Sequence, residues 1–444
     1  MIDGEKKLQK TFSVFDSIAI VIGIVIGAGI FKLPTLVAMN VPSGGWMAAA
    51  WIFGGVVSFI GALCYAELAT TYPDAGGDYH FLSKAYGSKL SFIFAWTRMM
   101  IIQPGSIVMM SFIVGDELSR IVSLGSFSDS IYALIIVALL TGLNIAGVRN
   151  SNTTQKILTV GIIIGLFIVF VLGFFVAEPA AATSAGSFSD SGFTGKFGMA
   201  MVFVLLTFGG WNEAAYISSE VKNPEKNIVK SLLLGISIIT IAYLLVNFAL
   251  YRALGLEGMR SFDSYQQVVG QTAGQNFTPF ISILIIIAAL STTNVTIITG
   301  ARSNFAFGRD FNIFKFLNKW DNVKGTPSTA LLFQGAISFL LIIFGAFYKS
   351  GLESMVDYTS PAFWFFFLLA GISLFVLRVK DKDAPRPFKT PLYPLTPLLF
   401  IVFCLYMLRS SILYTGKGGI VSIIVMVTGV IALVIDMKLK KVAP

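Results

Sequence analysis

Twelve runs of about 20 predominantly apolar residues divide this 444-residue chain, and that pattern leaves it very few ways to fold. They lie at 12–39, 44–70, 88–115, 130–148, 155–177, 197–217, 231–253, 277–303, 327–347, 354–378, 394–413 and 418–437. An α-helix rising about 1.5 Å per residue needs that length to cross a hydrocarbon core, and it satisfies its backbone groups within its own segment. Charged residues make up 12% of the sequence, about half of the roughly 25% usual for a soluble domain. That is too little polar surface to coat a water-facing globule. The sequence therefore predicts an all-α membrane protein of twelve transmembrane helices, one domain over 1–444, with the lipid bilayer as its solvent.

The net charge of +9 does not point to nucleic acid, because most of the 32 Lys and Arg residues sit in short connections between apolar runs. An even number of spans puts both termini on one side, and placing that side in the cytoplasm follows the positive-inside rule. The expectation is a multi-pass protein of the cytoplasmic membrane with both termini cytoplasmic. The Ala/Ser/Gly-rich stretch Ala177–Gly195, almost without positive charge, suits an outer connection. The first apolar run is too long for a signal-peptide core and lacks a small-residue cleavage site. Cys64 and Cys404 both lie inside apolar runs and His80 is the single histidine. A disulfide framework, a thiolate metal site and a membrane-embedded metalloenzyme all lack the residues they need. No Walker motif is present, so ATP does not drive the protein directly. No enzymatic activity and no cofactor are expected.

Two of the runs are interrupted near mid-membrane. The first holds Gly23 and then Gly27-Ala28-Gly29-Ile30-Phe31; the sixth holds Phe208-Gly209-Gly210-Trp211-Asn212. Glycine in a helix interior costs about 1 kcal/mol against alanine, so such clusters mark unwound backbone, tolerable at that depth only where it lines a cavity. The bland alternative is a packing notch between helices. Both breaks fall at corresponding places if spans 1–5 and 6–10 are two repeats, and such pairing points to a transporter's midplane site. Half-helix N-termini suit a carboxylate and freed carbonyls suit an ammonium or a cation. A zwitterionic amino acid presents both charges.

Five motifs in order carry a family resemblance. They are Gly27-Ala28-Gly29-Ile30-Phe31; Tyr65-Ala66-Glu67-Leu68 with Pro73, Gly76-Gly77 and Tyr79; Ile102-Gln103-Pro104; Phe208-Gly209-Gly210-Trp211-Asn212 with Glu220 and Asn223-Pro224; and Arg302 with Gly308-Arg309-Asp310. With them the sequence resembles the amino acid–polyamine–organocation superfamily and, within it, the L-type amino acid transporter branch. The resemblance runs over roughly spans 1–10. It implies a LeuT-type fold, a 5+5 inverted repeat over 12–178 and 197–378 with two extra helices at 394–437 and helices 1 and 6 broken. It also implies a secondary transporter working by alternating access. The substrate carboxylate would meet the amides of Gly27, Ala28 and Gly29, with Ile30 beside them. The ammonium would meet carbonyls near Phe208, Gly209 and Ile24, and Trp211 and Asn212 would line or gate the pocket.

Three departures stand out. Leu206 occupies the place where the branch usually carries a bulky aromatic gate. The outer loop at 116–129 has no cysteine, whereas relatives needing an accessory glycoprotein carry one there, so no disulfide-linked partner is expected. Many relatives place a lysine in the fifth helix seven residues after a glutamine; here Gln155 is followed at that distance by Ile162, with Lys156 close to the cytoplasmic end. That ammonium braces the unwound first helix much as a bound cation would. Ala289-Leu290-Ser291-Thr292-Thr293 resembles the second sodium site of sodium-coupled LeuT-fold transporters. It suggests a Na⁺ site of five oxygens: the carbonyls of Gly23, Ile26 and Ala289 and the hydroxyls of Thr292 and Thr293. All-oxygen ligation suits a hard cation. The alternative is that these hydroxyls bond their own helix or a neighbour.

Charges inside the membrane are functional candidates by default. Glu67 fits either a structural pair with an inner-loop base or proton coupling, Arg98 either snorkelling or an unidentified acid partner, and Glu213 either an inner gate or helix packing. Trp211, Phe208 and Phe363 are candidate pocket walls. The leading reading is a secondary active transporter of small neutral amino acids, Na⁺-coupled through the site above. Proton symport and amino acid exchange are the runners-up. A non-transporting sensor on the same scaffold is the different-class alternative, against which the short tails argue.

Overall fold

The computed structural model describes residues 10–180, 195–261, 264–346, 351–415 and 419–442, without the side chains of 195, 196, 351–358, 414 and 439–442. Its first span is two helices, Val14–Val25 and Gly29–Met39, bent by 46° at the glycine cluster. The second is Gly44–Thr71, followed by a short helix, Asp78–Tyr86, off its end. The third runs from Ser88 to Ile121, with a π-helical turn at Arg98–Ile102. The fourth is Ser128–Ala146, and the fifth is Val148–Val171 continued by a π turn to Val176. The sixth is an α-helix, Gly195–Thr207, then a ten-residue 3₁₀ helix, Trp211–Glu220. The seventh, Pro224–Met259, is kinked at Gly255 (φ 67°). A surface helix, Ser264–Ala273, precedes the eighth span, Pro279–Asp310; the last four are Ser328–Ala346, Gly351–Lys380, Leu395–Thr415 and Gly419–Val442.

All twelve expected spans are present, the first and sixth are broken, and the described residues contain no strand beyond two isolated bridges. Boundaries differ where helix ends project beyond the apolar window. The fifth span starts at Val148, because the polar stretch Arg149–Gln155 is helical too. The seventh starts at Pro224, where Asn223 (φ 48°) turns the chain and the proline takes a first-turn place that needs no donor. The third span continues to Ile121, which shortens the loop to the fourth span. Most of the outer connection at 177–195 lies outside the described residues.

Burial sorts the spans. The sixth is 83% buried across its apolar window and the twelfth only 28%, so the broken helix is core and the last span is rim. The face where the chain enters the first span, here the entry face, is tied together tightly. Phe12 forms a parallel bridge to Val221, its N–H donating to the Glu220 carbonyl and its carbonyl accepting from Lys222. Arg302 makes a buried bidentate pair with Glu220, while Arg309 binds Asp74 and the Tyr79 hydroxyl donates to Asp310. The last span ends on this face as well, since Asp436 accepts from the Ile313 N–H.

Candidate functional site

The two breaks face each other at the centre of the bundle. A Cβ added to Gly210 (φ 106°) would lie 3.1 Å from Ile24 Cγ1 and 3.6 Å from the Ile24 carbonyl oxygen. One on Gly29 would come within 3.9 Å of Thr207 Cα, and one on Gly27 within 2.7 Å of Thr292 Oγ1. The glycines therefore let three backbones approach. Gly29, Gly209 and Gly210 are partly exposed, whereas Trp211 through Ser218 on their entry-face side are buried. The helix restarting at Gly29 leaves its first amides without partners of its own. The Gly27 N–H donates to Val25 O at 2.8 Å, and the Ile30 carbonyl accepts from the Tyr265 hydroxyl at 2.8 Å. Ala28 is buried at the elbow.

Around the sixth-span break, Phe208 packs edge-on to Tyr243 (5.0 Å) and Trp211 edge-on to Tyr65 (5.1 Å) and tilted on Phe367 (5.3 Å). Phe363 stacks on Phe367 one layer further out. The Gly209 N–H bonds the Leu206 carbonyl, while the Leu206 side chain is exposed and does not join the others. Sequence reasoning missed Tyr243, whose hydroxyl lies 2.9 Å from Val25 O and 3.1 Å from Thr207 O and so spans both breaks. Its only advance signal was a phenol in the middle of an apolar span, which must find a partner when buried.

Four of the five oxygens proposed for sodium, all but the Ile26 carbonyl, take part in hydrogen bonds within the protein. Ser291 Oγ donates to Gly23 O at 3.0 Å, Thr292 Oγ1 lies 3.3 Å from Gly23 O and 3.2 Å from Ile24 O, and Thr293 Oγ1 bonds back to Ala289 O at 2.7 Å. Ile26 sits at the adjoining helix end, its N–H on Ile22 O. Gln155, Ser291 and Thr159 crowd Gly23 so closely that a Cβ there would lie 1.9 Å from Gln155 Nε2. Gln155 donates to Ser291 at 2.7 Å and accepts from Asn294, which in turn accepts from Asn144. Thr159 donates to Ala19 O. This neutral network stands beside the first-helix break. Lys156 is not part of it; its ammonium pairs with Asp16 at 3.0 Å near the entry face.

The buried charges also find partners. Arg98 does not snorkel: its guanidinium lies 2.6 Å from Glu213 and 3.8 Å from the Tyr216 ring centroid. Gln103 Nε2 reaches the same Glu213 oxygen at 3.3 Å. Glu67 is bound by Arg378 at 2.6 and 2.7 Å and by the Thr390 N–H.

A family model described as amino acid permease matches residues 12–435. The b(0,+)-type amino acid transporter 1 of Mus musculus is 27% identical over 91% of this chain and 83% of its own length. The serine/threonine exchanger SteT of Bacillus subtilis (strain 168) is 26% identical over 95% of each. The large neutral amino acids transporter small subunit 2 of Mus musculus is 26% identical over 96% and 81%. These relatives are transporters and not enzymes. Twelve spans, two facing helix breaks and a match that runs from the first residues of span one into the last span make this chain a member of the amino acid permease family.

Proposed function

We propose that this transporter exchanges small neutral amino acids across the cell membrane without a sodium requirement, with both termini in the cytoplasm. The observation that carries the reading is the neutral brace at Gly23. Its carbonyl, which a sodium ion would need, already accepts from Ser291, with Thr292 within reach and Gln155 behind. A cation there would have to break those bonds and dehydrate as well. In this reading Gln155, Ser291 and Thr292 hold the first-helix break, and substrate binds between the breaks. The carboxylate meets the amides of Ala28, Gly29 and Ile30, the ammonium meets carbonyls around Phe208 and Gly209, and Trp211 and Asn212 close the entry-face side. In this reading the close approach of the backbones at Gly27 and Gly210 favours a small side chain. The likeness to a named serine/threonine exchanger supports substrates of that size.

The two repeats are 12–178 and 197–378, with 394–437 outside them. One relative is named a small subunit, but the loop joining the third and fourth spans here, 122–127, has no cysteine. We therefore infer no disulfide-linked partner. The reading calls for no cofactor.

The test is uptake of labelled alanine or serine into proteoliposomes, loaded or empty, in sodium or choline buffer. Internal amino acid is expected to stimulate uptake at least about tenfold, a 1.4 kcal/mol effect, with no difference between the cations. Uptake into empty vesicles driven by a sodium gradient would refute exchange and restore the five-oxygen site.

A further inference from the structure

The loop between the second and third spans carries two carboxylates four residues apart, Asp74 half-buried and Asp78 buried, and they are treated in opposite ways. Burial opposes the charge of Asp74, but His80, Arg309 and the Gly76 N–H outweigh it and hold that carboxyl below its ordinary value. Asp78 has no cation within salt-bridge distance among the described residues. Its Oδ2 accepts from Asn212 Nδ2 at 3.2 Å and from the Tyr216 hydroxyl at 3.2 Å, while its Oδ1 has no partner. Asn212 has the matching deficit, since its Oδ1 is also buried without a partner. The two residues are 5% and 2% exposed. Two unmatched acceptors on bonded neighbours cost free energy, and the Tyr65 hydroxyl, the nearby donor that acts to lower the Asp78 carboxyl, is itself buried without a hydrogen bond.

We propose that Asp78 and Asn212 form a proton-binding site that latches the entry face. A proton taken from water onto Oδ1 of Asp78 makes that atom a donor, and the one acceptor left on Asn212 is its Oδ1. Together with the existing Nδ2–H···Oδ2 bond this closes an acid–amide ring, and one proton satisfies both orphans. Asn212 lies in the 3₁₀ half of the sixth span, next to the break, whereas Asp78 opens the short helix below it. The protonated pair ties the broken helix to the entry-face loop. The ionised pair leaves a buried charge that is relieved when the two separate and water enters.

The groups around Asp78 are Tyr65 from the second span, Arg98 from the third, and Glu213 and Tyr216 from the sixth. Arg98 is engaged by Glu213, so it neutralises that acid in preference to Asp78. Burial pushes the Asp78 carboxyl up to about 6, with Arg98 acting in the other direction. A carboxyl raised in the closed form favours closure as pH falls through about 6, and the bias saturates below the ordinary value of about 4.

The experiment pairs infrared titration of the full-length protein with exchange in proteoliposomes across roughly pH 4 to 8. In the wild type a protonated-carboxyl band is expected to fade as pH rises through about 6, to be missing in Asp78→Asn and to survive in His80→Gln. Wild-type exchange is expected to rise several-fold over the same range, and Asp78→Asn to stay at the low-pH rate throughout. A band that persists in Asp78→Asn, or an unchanged pH–rate profile in that variant, overturns the proposal. Should Asp78→Asn fail to fold, Asp78→Glu must shift the midpoint of the band, and an unshifted midpoint overturns it equally. The latch rests on the exchange reading only for its transport readout. A wild type that moves no amino acid at any pH defeats that reading, while the infrared titration still decides the proton site.

Discussion

Arg98 and Glu213 are both nearly sealed from solvent, and neither charge is supportable there alone. Arg98→Leu is therefore expected to cost about 3–5 kcal/mol by leaving a buried carboxylate unpaired. The double variant Arg98→Leu/Glu213→Leu should recover most of that loss. Thermal unfolding in detergent for these two variants and Glu213→Leu closes the cycle, and additive losses would show that the two charges do not depend on each other. The sequence marked Arg98 as a misfit but could not name its partner, because 115 residues separate the pair. Gln103 drew notice there only as part of the Ile102-Gln103-Pro104 motif. Five residues apart, Arg98 and Gln103 would point to different faces of an α-helix. The π turn at Arg98–Ile102 brings both to one Glu213 oxygen, and nothing in the sequence announced that turn.

Among the elements, the two broken helices were the most legible, since glycine clusters at mid-depth in matching spans favour unwound backbone over packing notches. What the glycines could not reveal was the tie between them. Tyr243 belongs to the intact seventh span, yet its hydroxyl sits against carbonyls of both breaks. Tyr243→Phe is expected to lower stability by about 0.5–1.5 kcal/mol, the net worth of one buried hydrogen bond. It should also slow exchange several-fold, because the breaks lose their shared anchor. Unfolding and exchange measured on the same preparation separate the two effects. A variant that is less stable but exchanges at the wild-type rate would make the tyrosine a packing residue only. The hydroxyls of the eighth span were legible in a different way. Ser291, Thr292 and Thr293 were singled out by their spacing, and the structure sets Ser291 and Thr292 within reach of carbonyls at the first break while Thr293 bonds its own helix, an orientation that spacing does not encode.

At the scale of the whole molecule, the number and order of spans followed from hydropathy alone, because lipid imposes a length on every crossing. Helix ends were less legible, since polar turns such as Arg149–Gln155 extend a span without adding apolar residues. The proposed placement of both termini in the cytoplasm predicts a labelling result. In a Cys64→Ala/Cys404→Ala background, a membrane-impermeant maleimide applied to intact cells is expected to modify Ser123→Cys and to miss Lys10→Cys until the membrane is opened. The reverse pattern would invert the topology. The 3₁₀ half of the sixth span has a consequence for how far such a molecule can move. Ten residues wound at about 2.0 Å per residue reach about 20 Å, whereas the same residues as an α-helix reach about 15 Å. Glu220 at its far end is fastened to Phe12, where the chain enters the first span. Rewinding this one segment would thus draw both broken spans inward together by about 5 Å, a piston stroke set by helix pitch alone.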